Sequence, residues 1–264
     1  MKVAIITRTR NRPLLLKRTL LSVKNQTYKD YIQIIINSIG GDLEQVKNLC
    51  KLINPDKTIV VNSSYHDFDI GFMMNLGIQY AKENNCTHIS TLDDDDVWAI
   101  EYLEKMMDTI LKTNSMGVVC KSILITEKIL DNKIKIVNKR IMEKDNNILL
   151  DKLEFNYRFP CQFLYDLDSL KVVGEYPLGI QWGDDYFWKK FKKYYQIAIC
   201  SEYLYRRHVR INDKVDYYTN IDTLLDTKKE KKKINSLIQG EKDIDLIAHM
   251  IEQYDKGDKN GLRQ

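Results

Sequence analysis

The chain has 264 residues, 44% of them hydrophobic, enough to bury the core of one large domain with or without an extension. A net charge of +4 is too mild to point to a nucleic-acid partner. The 5 cysteines (Cys50, Cys86, Cys120, Cys161, Cys200) form no Cys-x-x-Cys pair, which argues against a zinc site or a disulfide frame and for free thiols in a reducing compartment.

Val3 to Thr7 reads as a buried strand. It is too short for a signal peptide, and no stretch reaches the ~18 apolar residues of a membrane span. A cytoplasmic protein is expected. Asn11 as cap and Pro13 in the first turn open a helix to about Asn25, with Leu15, Leu16, Thr19, Leu20 and Val23 on one face. Tyr31 to Ile36 and Thr58 to Asn62 read as strands, and Asp42 to Ile53 and Ile70 to Asn84 as helices. A strand from Thr87 to Leu92 stops at four aspartates, and a helix follows from Ala99 to Lys112. Strands alternating with helices at this spacing predict a parallel α/β sheet, with ligands beyond the carboxyl ends of the strands. From Gly117 the rhythm changes. Val118 to Ile129 and Lys133 to Asn138 predict a hairpin around Asp131-Asn132. A helix from Asp168 to Val173, one from Tyr186 to Tyr194 and a strand from Gln196 to Ile199 complete this part. Beyond about residue 215 the chain is highly charged, and Ile244, Ile247, Met250 and Ile251 have helical spacing. The expected division is a domain over 1–215, in halves of about 1–115 and 116–215, then a helical extension over 216–264.

Asp93, Asp94, Asp95 and Asp96 follow an apolar strand directly. As a strand continues, alternate side chains share a face. Asp93 and Asp95 are therefore expected to aim at one point, where a hard cation such as Mg²⁺ or Mn²⁺ fits an all-carboxylate set. The plainer alternative is a solvated turn, with Asp96 capping the following helix. A second acidic pair, Asp184-Asp185, can cap the helix from Tyr186, a role that suits Asp184, while the other carboxylate stays free as a general base.

The order of these pieces resembles the family-2 glycosyltransferases of the GT-A fold. The resemblance rests on Val3 to Pro13, Ser22 to Tyr28, Asn37-Ser38-Ile39-Gly40-Gly41-Asp42, Gly71 to Ile78, Leu92 to Trp98, and Gly183-Asp184-Asp185-Tyr186, and covers roughly residues 1–210. It implies one Rossmann-like, mostly parallel sheet with a small antiparallel extension. It also implies inverting sugar transfer from a nucleotide-diphosphate donor, UDP-type favoured, to a glycan or lipid-linked glycan acceptor in surface polysaccharide synthesis. On the same resemblance Asp95, with His208, binds Mn²⁺ or Mg²⁺. Thr7, Arg8, Thr9, Arg12, Ser38, Asn75, Asp93 and Asp94 lie along the nucleotide sugar, and Asp185 is the base. Trp98, Trp182 and Asp184 face the acceptor. The chain departs from the family at Ser38, where an Asp is usual, at Met74 for Arg, at Arg8 for Pro and at Asp184 for Glu.

A lone histidine such as His208 is more often an ordinary surface or core residue, and Trp98 and Trp182 are as readily core residues. The lysines of 189–193 and 228–233 read as solvated helix faces or as a surface that approaches anionic lipid. Two other functions remain open on sequence: a sugar-nucleotide pyrophosphorylase, although Thr7 to Pro13 lacks its glycine-rich loop, and a nucleotide-binding relative without catalysis.

Overall fold

A computed structural model of the protein describes residues 1–63, 69–130, 133–141, 162–179 and 183–210. The boundary expected near 215, the extension 216–264 and the turn at Asp131-Asn132 lie outside the described residues. The amino-terminal part alternates β1 (Val3–Thr9), α1 (Pro13–Lys24), β2 (Tyr31–Asn37), α2 (Leu43–Ile53), β3 (Thr58–Asn62), α3 (Ile70–Glu83) and β4 (His88–Thr91). Then come β5 (Val97–Trp98), α4 (Tyr102–Thr113), the hairpin β6 (Gly117–Leu130) and β7 (Lys133–Ile141), and β8 (Phe163–Asp166). A 3₁₀ turn (Leu167–Ser169), α5 (Leu170–Val173), α6 (Gly183–Tyr194) and β9 (Ala198–Arg210) follow.

All described strands join one sheet in the order β3-β2-β1-β4-β8-β6-β9-β5, with β7 beside β6. β1 to β4 are parallel, and β8 runs antiparallel between β4 and β6. The chain moves outward from β1 through β2 to β3, then returns to place β4 on the other side of β1. That reversal opens a crevice at the carboxyl ends of β1 and β4, which lie side by side with Ile6 opposite Thr91.

Strand alternation divides the core. Ala4 and Ile6 of β1 face α3 and α6, where Met73, Ile78, Phe187, Trp188 and Phe191 pack. Val3 and Ile5 face the other way, towards Tyr102, Leu103 and Met106 of α4. α1 and α2 close that side further along through Leu16, Leu20, Val46 and Ile53 on Ile35. The Ser22–Gln26 segment is structural. Gln26 donates to the carbonyl of Ala99 (2.7 Å) and accepts from the amide of Leu103 (3.0 Å), locking α1 to the chain after the aspartates.

Several boundaries differ from expectation for identifiable reasons. Arg12, not Asn11, is the residue before α1. Asn11 adopts a left-handed φ of 50° and spends its side chain on the loop before α2, on the carbonyl of Gly40 and the amide of Asp42. α4 starts at Tyr102 because Val97 and Trp98 pair with β9 and the Ala99 amide donates to Leu204. β9 runs on to Arg210 through a charged sequence because its polar side chains find buried partners. Asp184 lies within the first turn of α6, which already includes Gly183, so the helix from Tyr186 is not capped there. The four described cysteines are free and buried, and burial pushes the thiols of Cys50 and Cys86 up to about 12 and about 11. No described helix is long and apolar enough to cross a membrane.

Gly77 marks the tightest seam between α3 and β1. A Cβ there would lie 2.7 Å from Cγ2 of Ile6. Gly77→Ala is therefore expected to destabilise the protein by about 1–3 kcal/mol through overpacking, despite alanine's better helix propensity. Equilibrium urea unfolding checks this; an unchanged or raised midpoint would contradict the packing.

Candidate active site

β4 ends at Thr91, before the acids. The amide of Leu92 still bonds Ile6, and the amide of Asp96 then closes a turn on the carbonyl of Asp93 at 3.1 Å. The carboxylates converge because of this turn, not because a strand continues. Asp93, Asp95 and Asp96 each bring a ligand oxygen within 4.8 Å of the others.

Guanidinium groups from three elements meet these carboxylates. Arg8 at the end of β1 bonds Asp93 at 2.7 Å. Arg12, just before α1, bridges Asp94 (3.1 Å) and Asp95 (3.0 Å), and Arg210 at the end of β9 reaches the same oxygen of Asp95 at 3.0 Å. Thr9 donates its hydroxyl to Asp94 at 2.7 Å. Burial dominates the Asp94 carboxyl and pushes it up to about 6, against the pull of Arg12 and Thr9.

Beneath the turn lies a buried layer. Thr19 shares its hydroxyl between the carbonyls of Asp94 (2.9 Å) and Asp96 (2.8 Å), and Arg18 donates to the carbonyl of Asp95. Arg18 also pairs with Glu127 of β6, at 2.6 and 3.2 Å. Burial alone would raise Glu127, but His208 and Arg18 outweigh it and hold the carboxyl at about 2. Burial and the Arg18 charge push His208 down to about 4. At neutral pH Glu127 is therefore ionised and His208 neutral, so Nδ1–H of His208 donates to Glu127 across their 2.8 Å contact. Nε2 then carries the lone pair.

Asp96 is a structural anchor, not a helix cap. Its buried carboxylate accepts from the amide of His208 at 2.7 Å and from the hydroxyl of Tyr205. Burial, with Asp95 and Asp93 nearby, pushes its carboxyl well up, and the two donors oppose that.

Of the residues expected to line the nucleotide sugar, Arg8, Thr9, Arg12, Asp93 and Asp94 gather in the crevice. Thr7 does not. It is fully buried within the sheet, short of the end of β1, and accepts from Gln33 at 3.0 Å. Ser38 is buried at the end of β2 with its hydroxyl on the sulfur of Met73 at 3.2 Å. Asn75 spends both ends of its amide on the backbone of Tyr176, donating at 2.9 Å and accepting at 2.9 Å, so it clamps the 174–179 segment. Trp98 offers no face to an acceptor. It is 1% exposed and stacks on Tyr102 at 4.0 Å. His208 stands outside the carboxylate set, its ring turned to Glu127. Asp184 is half-buried; Asp185 lies in the first turn of α6, and its side chain, like Trp182, lies outside what is described. Sequence reasoning missed Arg18, Glu127, Tyr205 and Arg210. The available signal was a charge set in an apolar stretch, Arg18 with leucines at 14–16 and 20–21 around it and Glu127 within an isoleucine-rich strand.

The sequence model described as Glycosyl transferase family 2 matches residues 4–174, well over half of the chain. An uncharacterized glycosyltransferase, R139, of Acanthamoeba polyphaga mimivirus is 25% identical over 160 residues, covering 53% of this chain and 64% of that protein. Among solved structures, S. aureus TarS 1–349 in complex with UDP-GlcNAc aligns with a TM-score of 0.63 at 18% identity, over 81% of this chain and 60% of that one. A mannosyltransferase, PcManGT from Pyrobaculum calidifontis in complex with GDP-Man and Mn²⁺, aligns with a TM-score of 0.60 at 15% identity, over 80% of this chain and 57% of that one. These two structures share the fold, and the chain spans less than two thirds of the length of each of the three relatives.

Asp96→Ala removes the acceptor of two buried donors, Tyr205 and the His208 amide. Each unsatisfied donor costs roughly 1–3 kcal/mol. The variant is expected to lose stability on that scale in chemical denaturation. A midpoint equal to that of the wild type would refute the anchoring role.

Proposed function

The chain belongs to glycosyl transferase family 2 and is a sugar-transferring enzyme; from that premise we propose that it moves a sugar from a nucleotide-diphosphate donor to an acceptor hydroxyl, with metal dependence and inversion at the anomeric carbon. One observation carries the reading: Asp93 and Asp95 converge with Arg8, Arg12 and Arg210 at the carboxyl ends of β1 and β4. Acids and guanidinium groups mixed at such a crevice suit a diphosphate, which needs both a bridging cation and direct donors.

The donor set is all oxygen and fits a hard divalent ion. Asp93 and Asp95 would hold it, since Asp96 is already engaged by Tyr205 and His208. His208, held on Glu127 outside that set, would steady the turn through its amide on Asp96. A Mn²⁺ or Mg²⁺ there would neutralise charge gathering on the leaving diphosphate. Arg8, Arg12 and Arg210 would turn from the carboxylates to the phosphate oxygens, while Thr9 and Asp94 steady the nucleoside side. Asp185 would take the proton of the acceptor hydroxyl. The acceptor oxygen would bond the anomeric carbon from the face opposite the diphosphate, and the bond from that carbon to the phosphate oxygen would break, which inverts the centre. Asp184, beside it in the first turn of α6, would orient the acceptor.

A UDP-type donor and a glycan or lipid-linked glycan acceptor in surface polysaccharide synthesis complete the proposal. Neighbours of the same fold carry UDP-GlcNAc or GDP-Man, which supports a nucleotide sugar and leaves the base to be measured. Membership of the family removes the pyrophosphorylase alternative. A lysine-bearing surface approaching anionic lipid at the membrane's inner face belongs to the same proposal.

Two variants divide the roles. Asp95→Ala is expected to abolish Mn²⁺-dependent UDP binding by calorimetry while the protein still folds; full retention would reject the metal assignment. Asp185→Asn keeps shape but accepts no proton, so turnover of UDP-sugar donors should fall by ~10²–10⁴-fold with donor affinity nearly unchanged. If Asp184→Asn stops turnover and Asp185→Asn does not, the two roles are reversed.

A further inference from the structure

We propose that Arg18, through its buried pair with Glu127, is a positioning residue for the metal-holding turn, acting through the main chain of Asp95. The inference rests on the metal reading above.

Arg18 and Glu127 are 5% and 0% exposed, and the guanidinium meets both carboxylate oxygens. A buried ion pair is poor evidence of stabilisation, because the desolvation of two charges offsets their attraction. An apolar pair would fill the same space. What an apolar pair would not do is donate to the carbonyl of Asp95, as Nη2 of Arg18 does. The next residue, Thr19, takes the carbonyls of Asp94 and Asp96. Two consecutive residues of α1 thus hold three consecutive carbonyls of the turn. That fixes the peptide planes on either side of Asp95, and with them the direction of its carboxylate.

The contacts form a closed circuit. From Asp95 it runs through Arg18 to Glu127, from Glu127 to the ring of His208, and from the amide of His208 to the carboxylate of Asp96. α1, β6 and β9 therefore grip the turn together; Arg18 and His208 each touch both the turn and the buried acid, and Arg18 is the one that holds the carbonyl of Asp95. Groups that orient metal ligands from behind typically change metal affinity ~10–100-fold when substituted.

The test uses the full chain and Mn²⁺ alone, with free Mn²⁺ followed by electron paramagnetic resonance and folding by thermal melting. Arg18→Met with Glu127→Gln removes both charges together, so no buried charge is orphaned, and the glutamine oxygen still accepts from His208. The expected result is a melting temperature near that of the wild type with Mn²⁺ affinity lowered ~10–100-fold. Arg18→Lys, which keeps the charge but not the fork, should fall between the two. A folded double variant with wild-type Mn²⁺ affinity overturns the inference alone. A wild type that binds no Mn²⁺ overturns the metal reading and the inference with it. If the double variant does not fold, Arg18→Lys decides by the same criterion: weakened Mn²⁺ binding upholds the inference and unchanged binding overturns it.

Discussion

Four consecutive carboxylates in one turn repel each other, and the rest of the site answers that repulsion. Two like charges 4 Å apart oppose each other by about 4 kcal/mol at an effective dielectric near 20. A turn with several such pairs stands only where cations and donors surround it. Arg8, Arg12, Arg18 and Arg210 come from three separate regions of the chain, at the end of β1, around α1 and at the end of β9. The fold is the device that brings them to one place.

The topology explains why that place is the crevice. β1 and β4 are neighbours, yet the chain between them travels out to β3 and back. Their carboxyl ends are therefore free of a connecting loop and open to a ligand. β1 delivers Arg8 and Thr9 to one wall and β4 delivers the aspartates to the other. β9 then passes along β6 on the far side and adds His208 and Arg210. The arginines have two successive tasks in this account. Without a donor they compensate the acids; a bound cation and diphosphate would satisfy the acids and release the arginines to the phosphates.

Much of this was legible in the sequence. The strand–helix alternation to residue 92, the hairpin of Val118 to Ile129 with Lys133 to Asn138 and the exceptional run of acids read directly from periodicity and composition. Less legible were the parts where tertiary partners override local signals. β9 carries Arg206, Arg207, His208 and Arg210, which look like a solvated segment until Glu127 and the aspartates are placed beside them. β8 has only four residues and lies between distant neighbours, so nothing local specifies it. Asn75 and Trp98 sit inside motifs that resemble functional ones, yet one holds a backbone segment and the other fills the core. In both cases the side chain is spent on packing or backbone contacts that shape the site.

The central claim is that a divalent cation and a nucleotide diphosphate meet at the Asp93–Asp96 turn. Crystals of the full chain grown with Mn²⁺ and UDP would test it most directly, through anomalous scattering collected at the manganese edge. The account predicts one strong peak within bonding distance of Asp93 and Asp95, with the diphosphate on its open side and Arg12 moved from Asp95 to a phosphate oxygen. A UDP molecule bound elsewhere, or a manganese peak away from these two carboxylates, would contradict it.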